Sequence, residues 1–270
     1  MTKASAFCPS YITGIFTIGD GDAAGAGFAI NKGMATSVSE AVGKTVIEIN
    51  GKTSPAPVSK AVLKRYSAIC GKTGPLSVSH KAGLPIGFGC GMSAAGAVSL
   101  SLALNELLGA GLRREGCIKI AHDAEVECGT GLSGADAAAI GGFVARRSLK
   151  SGPVKLPFEE REIHLAFFSA IKTSSIITDA RWKKKVNAAG GHALSALFSG
   201  KNWDSFVDCS REFAAGSGLA KWCSREMAEN PRASMAMVGR TLFSDAKLSL
   251  AGADFKGMGA MSSELGAELV

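Results

Sequence analysis

The chain has 270 residues, 46% of them hydrophobic and 20% charged, with 34 glycines and only 7% aromatic residues. This much apolar content can bury a core in one large domain or two small ones, and it excludes a disordered chain or a small disulfide-stapled scaffold. Thirty basic residues against 23 acidic ones leave a net charge of +7, which favours an anionic partner such as a phosphate, nucleic acid or an anionic metabolite. A nucleic-acid module would carry that charge as a stripe with interleaved aromatics. Here the basic residues are scattered apart from Arg181-Trp182-Lys183-Lys184-Lys185, which reads as a solvated helix face, so no nucleic-acid partner is expected.

In chain order, residues 1–9 lack the uninterrupted apolar stretch of a secretion signal, being followed at once by Ser10, Tyr11 and Thr13. Residues 12–17, 27–30, 35–38 and 45–49 are brief apolar or alternating runs broken by glycine, and 75–80 alternates Leu76, Val78 and His80 with small polar residues; all five predict short strands. From Ser93 the period changes: Ala94, Ala97, Val98, Leu102, Leu104, Leu107 and Leu108 recur at helical spacing and Gly109 supplies a stop. The stretch 93–112 contains Asn105 and Glu106 and is rich in Ala, Ser and Gly, which suits a buried helix rather than a bilayer. A second helix is predicted over 115–127, with Ile118, Ala121, His122 and Glu125 on one face.

A Pro/Gly-punctuated link at 148–157 divides the chain, giving domains 1–150 and 151–270. Beyond it, 163–171 reads as a strand, 181–198 and 203–215 as helices, and 233–238 as a run of small and flexible side chains. Seven cysteines without a CxxC pair or zinc-like spacing point to reduced thiols and a cytoplasmic setting.

Two stretches carry chemistry. In residues 83–96, Gly87, Gly89 and Gly91 alternate after a strand and Pro85, and lead directly into the long helix. Backbone amides unobstructed by Cβ atoms can converge there on an anion, phosphate being the natural guest; a glycine turn packed under a helix would read the same way. Ser93 can cap a helix amide or reach a metal ion beside the phosphate. Neither a Walker A loop nor a GxGxxG fingerprint is matched. The second stretch, 121–136, ends a helix in a Gly/Thr/Ser loop that presents Asp136. In phosphoryl transfer a carboxylate there can orient or deprotonate the attacking hydroxyl, while Glu125 and Ser93 hold a metal against the phosphates; alternatively Asp136 caps a helix and Glu125 is a half-solvated helix residue.

Pro85, Gly89, Gly91, Ser93, Ala94 and Ala95 resemble the central motif of the GHMP kinase superfamily, which runs Pro, three residues, then Gly-Leu-Gly-Ser-Ser-Ala-Ala. Cys90 and Met92 depart from it at the Leu and first Ser positions, so one hydroxyl is lost from the cradle. Ser133-Gly134-Ala135-Asp136 is similar to the superfamily's Ser-Gly-Val-Asp. Residues 6–16, 25–27, 121–126 with 129–132, and 233–239 look more narrowly like the archaeal pantoate kinases, which use ATP to phosphorylate pantoate on the route to coenzyme A.

The resemblance implies the two-domain α+β GHMP kinase fold, with an N-terminal half like ribosomal S5 domain 2 and a ferredoxin-like C-terminal half. It implies an ATP-phosphate site on Pro85, Gly87, Gly89, Cys90, Gly91, Met92, Ser93 and Ala94, magnesium at Ser93 and Glu125, and Asp136 as the catalytic residue. Contacts to the pantoate acceptor are implied for Tyr11, Gly25, Ala26, Gly27, His122, Lys172 and Ser234, and a homodimer is suggested. Tyr11 stands where pantoate kinases usually show histidine and mevalonate kinases a lysine, so no catalytic lysine is expected. The aspartate loop, with Ser133-Gly134-Ala135 before Asp136, is more like that of the mevalonate kinases than the Gly-Leu-Gly-Asp of pantoate kinases. A homoserine or mevalonate type of GHMP kinase, or a non-kinase phosphate-binding member of the superfamily, stays open.

Overall fold

Alternating apolar and small residues carry the start of the chain into two long antiparallel strands, β1 (Lys3–Phe16) and β2 (Gly25–Glu40). The computed structural model describes residues 2–71, 73–252 and 254–270. The runs 27–30 and 35–38, separate in the sequence, belong to one strand, because the glycines between and within them are points of close approach and not breaks. At Gly27 a Cβ would lie 2.2 Å from the Ile12 carbonyl oxygen and 2.8 Å from the Tyr11 ring.

The chain continues through β3 (Val46–Ile49), β4 (Lys52–Thr53), α1 (Pro57–Cys70), β5 (Leu76–Ala82), α2 (Met92–Leu108), α3 (Arg114–Cys128), α4 (Gly134–Ile140), β6 (Phe143–Arg146) and β7 (Val154–Lys155). Then follow β8 (Glu162–Ser169), α5 (Ser174–Ile177), α6 (Ala180–Gly200), α7 (Trp203–Ser217), a 3-10 turn over Leu219–Trp222, α8 (Ser224–Glu229), β9 (Ala233–Met235), β10 (Arg240–Ser244), β11 (Lys256–Met261) and β12 (Glu268–Leu269). The strand expected at 163–171 ends at Ser169, and of the run 233–238 only the first three residues are strand. Helix α1 was not among the predicted elements; Pro57 occupies its first turn and Val58, Ala61, Val62 and Tyr66 form its buried face.

The first sheet runs β12-β1-β2-β5-β3-β4, with only β3 and β5 parallel. β2 is long enough to pair with β5 through Met34–Glu40 and, at its other end, with β6 through Gly25–Phe28. The second sheet, β11-β8-β10-β9, is antiparallel throughout. Helix α2 packs between β1 and β2 on one side and α1 and α3 on the other, and its residues 92 and 94–104 are all buried. Its Ala, Gly and Ser side chains permit this, since the buried hydroxyls are satisfied: Ser101 donates to the Cys117 carbonyl at 2.8 Å and Ser99 to that of Ala95 at 2.8 Å. Among the described residues no helix is long and apolar enough to cross a membrane.

The parts built on the two sheets share a core. Phe28 of β2 packs edge-on against Trp203 of α7 at 4.9 Å, Phe243 of β10 at 5.3 Å and Phe206 of α7 at 5.9 Å, and Phe143 of β6 joins them at 5.1 Å from Phe206. Arg181, Lys183, Lys184 and Lys185 are exposed at the start of α6, as expected of a solvated face, while Trp182 stacks on Trp222 at 5.7 Å. All seven cysteines are free thiols.

His80 on β5 is buried with both ring nitrogens on hydroxyls, Thr36 Oγ1 at 2.8 Å and Ser59 Oγ at 3.0 Å. Burial pushes its pKa down to about 4. The folded protein therefore binds this proton less readily than the unfolded chain, so the stabilisation is fully present above the unfolded pKa of about 6.5 and is lost as pH falls through the folded one. Unfolding free energy should drop by about 3 kcal/mol from this group between pH 7 and pH 4. Chemical denaturation of the native protein and His80→Leu across that range checks this, the variant being expected to show a shallower slope.

Candidate active site

The turn between β5 and α2 meets the rest of the chain at van der Waals limits. Gly87, Gly89 and Gly91 have φ of 88°, 80° and 63°, values that L side chains adopt only with strain. A Cβ on Gly89 would lie 2.5 Å from the Ala236 carbonyl oxygen and 2.6 Å from the Gly239 nitrogen, and one on Gly91 would lie 2.8 Å from the Tyr11 carbonyl oxygen. Hydroxyls fasten the turn: Thr241 Oγ1 donates to the Phe88 carbonyl at 2.7 Å, and Ser10 Oγ to that of Cys90.

Helix α2 starts from Gly91 with no side-chain cap and no acidic residue in its first turn. Its first amides have no intrahelical acceptor, and the positive end of the helix dipole is open to an anion. Ser93 does not cap them, because its hydroxyl donates to Glu125 Oε1 on α3.

A cavity of about 610 Å³ opens at this helix end. Residues 89–94 and Gly87 form one wall; Glu125, His122 and Lys119 of α3, residues 130–134, Asp136 and Ala137 form another; Tyr11, Thr13, Phe16 and residues 22–26 close it from the β1–β2 side. Thr130 Oγ1 donates to Glu125 Oε1 at 2.7 Å. Glu125 is 3% exposed; burial pushes its carboxyl pKa up, against the hydrogen bonds of Ser93 and Thr130 and the charge of His122.

His122 Nδ1 lies 3.0 Å from Asp136 Oδ2 and Nε2 lies 3.2 Å from the Gly21 carbonyl oxygen. A carboxylate and a carbonyl both accept, so the arrangement favours the protonated ring. The Asp136 hydrogen bond accordingly raises the His122 pKa, against partial burial. Asp136 Oδ1 makes no hydrogen bond to the described residues, and its side chain is 43% exposed toward the cavity.

Of the residues expected at the site, the cavity gathers Tyr11, Gly25, Ala26, Gly87, Gly89, Cys90, Gly91, Met92, Ser93, Ala94, His122, Glu125 and Asp136. Tyr11 offers its ring and not its hydroxyl, which donates to the Val144 carbonyl at 2.7 Å. Cys90 contributes backbone, and burial pushes its thiol up to about 12. Four lie elsewhere. Gly27 is pressed onto β1 inside the sheet; Lys172 is exposed outside the cavity, which takes Thr173 instead; Ser234 is fully buried in β9; and Pro85 sits behind the turn with Phe88 and Phe167.

Lys119, Thr130, Asp22 and Arg146 also line the cavity, and none carried a site assignment in the sequence. Thr130 and Lys119 had a signal, standing five and six residues from Glu125 on the same helix-to-loop segment. The pair Arg146 Nη1–Asp22 Oδ1, 2.6 Å apart, is separated by 124 residues and had none.

Residues 57–142, from α1 through the glycine turn to the end of α4, match the family model for the GHMP kinases N terminal domain. That match covers 86 of the 270 residues. The pantoate kinase of Methanocaldococcus jannaschii is 35% identical over 133 residues, which cover 46% of this chain and 49% of that protein. The pantoate kinase of Methanospirillum hungatei is 31% identical over 131 residues, 46% of this chain and 44% of that protein. The match thus spans about half the length of these curated relatives. Over its whole length the chain superposes on a solved phosphotransferase related to the CoA biosynthesis pathway, with a TM-score of 0.85, 21% identity, and coverage of 100% of this chain and 99% of the other. At that identity the likeness establishes the α+β, two-domain GHMP kinase fold.

Gly89→Ala should destabilise the protein by about 3 kcal/mol, since it combines strain at positive φ with a backbone clash, and should weaken a non-hydrolysable ATP analogue by about tenfold or more through displaced amides. Gly87→Ala, whose Cβ would meet only the Ala170 methyl at 3.5 Å, should cost about 1 kcal/mol. Calorimetric melting and titration of the analogue into both variants check the contrast.

Proposed function

We propose that this chain is a kinase that transfers the γ-phosphoryl group of ATP to the 4-hydroxyl of pantoate, giving 4-phosphopantoate and ADP. One observation carries the reading: a single cavity holds the open N-terminus of α2, the buried Glu125 with its Ser93 partner and an aspartate with a free carboxylate oxygen. The similarity to pantoate kinases supports the choice of acceptor.

The phosphates of ATP would rest on the amides of the 87–94 turn, whose glycines keep Cβ atoms out of the anion's approach. Among the described residues no three His, Cys, Asp or Glu side chains gather to hold a metal by themselves. The donor set present nevertheless fits a hard divalent cation, because Glu125 is a buried carboxylate with hydroxyl neighbours and no Lys or Arg partner among the described residues. Ser93 Oγ and Glu125 would hold magnesium together with phosphate oxygens, and the ion would supply neutralisation of phosphate charge.

Asp136, oriented by His122 through Oδ2, would receive the hydroxyl proton on Oδ1 as the acceptor oxygen attacks. The new P–O bond forms as the bond between the γ-phosphorus and the bridging oxygen breaks, and that oxygen leaves with the electron pair on ADP. Lys119, His122 and Arg146 line the cavity and would attract an acceptor carboxylate. Tyr11, Gly25 and Ala26 would shape the apolar part of the acceptor pocket. The reading includes a cytoplasmic homodimer, whose stoichiometry sedimentation velocity tests.

Purified protein with ATP and magnesium should release ADP on addition of pantoate, with a phosphopantoate mass in the product. Release with homoserine or mevalonate and not pantoate would replace the acceptor, and ATP binding without turnover on any of them would overturn the kinase reading. Asp136→Ala should lower kcat by about 10³-fold with ATP affinity nearly unchanged. Ser93→Ala and Glu125→Gln should each raise the magnesium needed for half-maximal rate about tenfold; an unchanged requirement in both would remove their metal role.

A further inference from the structure

The loop 19–24 between β1 and β2 forms part of the cavity wall and is held from outside by three side chains. His122 Nε2 donates to the Gly21 carbonyl at 3.2 Å, Ser133 Oγ to that of Ala23 at 2.7 Å, and Arg146 Nη1 also to Ala23, at 3.1 Å. Asp22 in the middle of this loop lines the cavity with a side chain that is 34% exposed, and its Oδ1 accepts from Arg146 Nη1 at 2.6 Å and from the Ala23 amide at 2.8 Å.

Arg146 does not depend on Asp22 for its place. Its Nε donates to the Ser151 carbonyl at 2.8 Å, Nη2 to that of Leu149 at 2.7 Å, and Nη1 to Ala23. The loop is likewise tied down by His122 and Ser133. What Asp22 contributes beyond these contacts is charge. Burial opposes its ionisation, but the Arg146 hydrogen bond, the Ala23 amide and the charges of Arg146 and His122 outweigh burial and hold its carboxyl below the ordinary range. The carboxylate therefore stands ionised in the cavity at neutral pH, beside two of its three lining cations.

We propose that Asp22 is a specificity-determining residue that limits the negative charge the cavity accepts, so that a singly charged hydroxy acid is held while its phosphorylated product is repelled and released. The inference rests on the phosphoryl-transfer reading above. Transfer adds close to two negative charges to the acceptor at neutral pH. At a separation of about 7 Å, with a dielectric between that of a protein surface and bulk water, each charge facing Asp22 changes affinity by roughly fivefold. The discrimination thus grows with ligand charge, which mere placement of Arg146 would not produce.

The test compares the unaltered protein, Asp22→Asn and Asp22→Glu, measuring KM for pantoate and the inhibition constant of 4-phosphopantoate. Asp22→Asn should lower the KM by about fivefold and the product inhibition constant by about twentyfold or more, while Asp22→Glu keeps both near those of the unaltered protein. Equal tightening of the two ligands, weaker binding of both, or no change would overturn the proposal. Should Asp22→Asn fail to fold, Asp22→Ser takes its place with the same expectation. Absence of pantoate-dependent ADP release by the unaltered protein would instead defeat the phosphoryl-transfer reading and this inference with it, an outcome distinct from an active enzyme indifferent to Asp22.

Discussion

The close approach of the glycine turn to two separate backbones is the contact on which the site depends. At Gly91 the turn lies against β1, at Gly89 against the segment that links β9 to β10, and neither position has room for a Cβ. The turn is thereby gripped between the two sheet-bearing parts of the molecule. Because α2 begins at its last glycine, the same grip aims the helix's unpaired amides into the cavity. A side chain at either position would move the helix end as well as the turn, which is why the open helix end and the packing of the two parts form one structural unit.

The cavity that results is electrostatically economical. Each of its cations has a carboxylate partner: Arg146 has Asp22, His122 has Asp136, and Lys119 has Asp123 one helical turn further on. Glu125 alone lacks a basic partner among the described residues and relies on two hydroxyls. A buried carboxylate in that condition is costly unless it meets a cation or a proton. The imbalance singles out the Ser93–Glu125 corner as the place where an added positive charge would stabilise the protein, and the ordered pairs around it as the frame that keeps the remaining charges from collapsing onto that corner.

Much of the secondary structure was legible. α2 and α3 appear within one or two residues of their predicted ends, because Gly109 and Gly129 close them with positive φ and the apolar period runs cleanly between. The glycines of β2 misled, since a glycine that admits a neighbouring backbone looks in sequence like one that ends a strand. Helix α1 was missed because Lys60, Lys64 and Arg65 interrupt its buried positions, one of which is Ser59, so the apolar spacing is weak in the sequence. Of the expected site residues, those close together in sequence, in the 87–94 turn and at Glu125, His122 and Asp136, line one cavity. Ser234 and Lys172, each reasoned from an isolated short block, lie away from the cavity; Asp22 and Arg146 line it.

The sequence by itself determined the glycine turn and the carboxylates near it, because alternating glycines before a buried helix and an aspartate in a small-residue loop are local arrangements read from the residues at hand. Only the tertiary structure decided which of them share a space. Ser93 meets Glu125 because α2 and α3 pack side by side, and Arg146 meets Asp22 because β6 pairs with the start of β2. Such contacts depend on strand register and helix packing between residues 32 and 124 positions apart, and a one-residue slip in a strand would turn the same side chain to the opposite face.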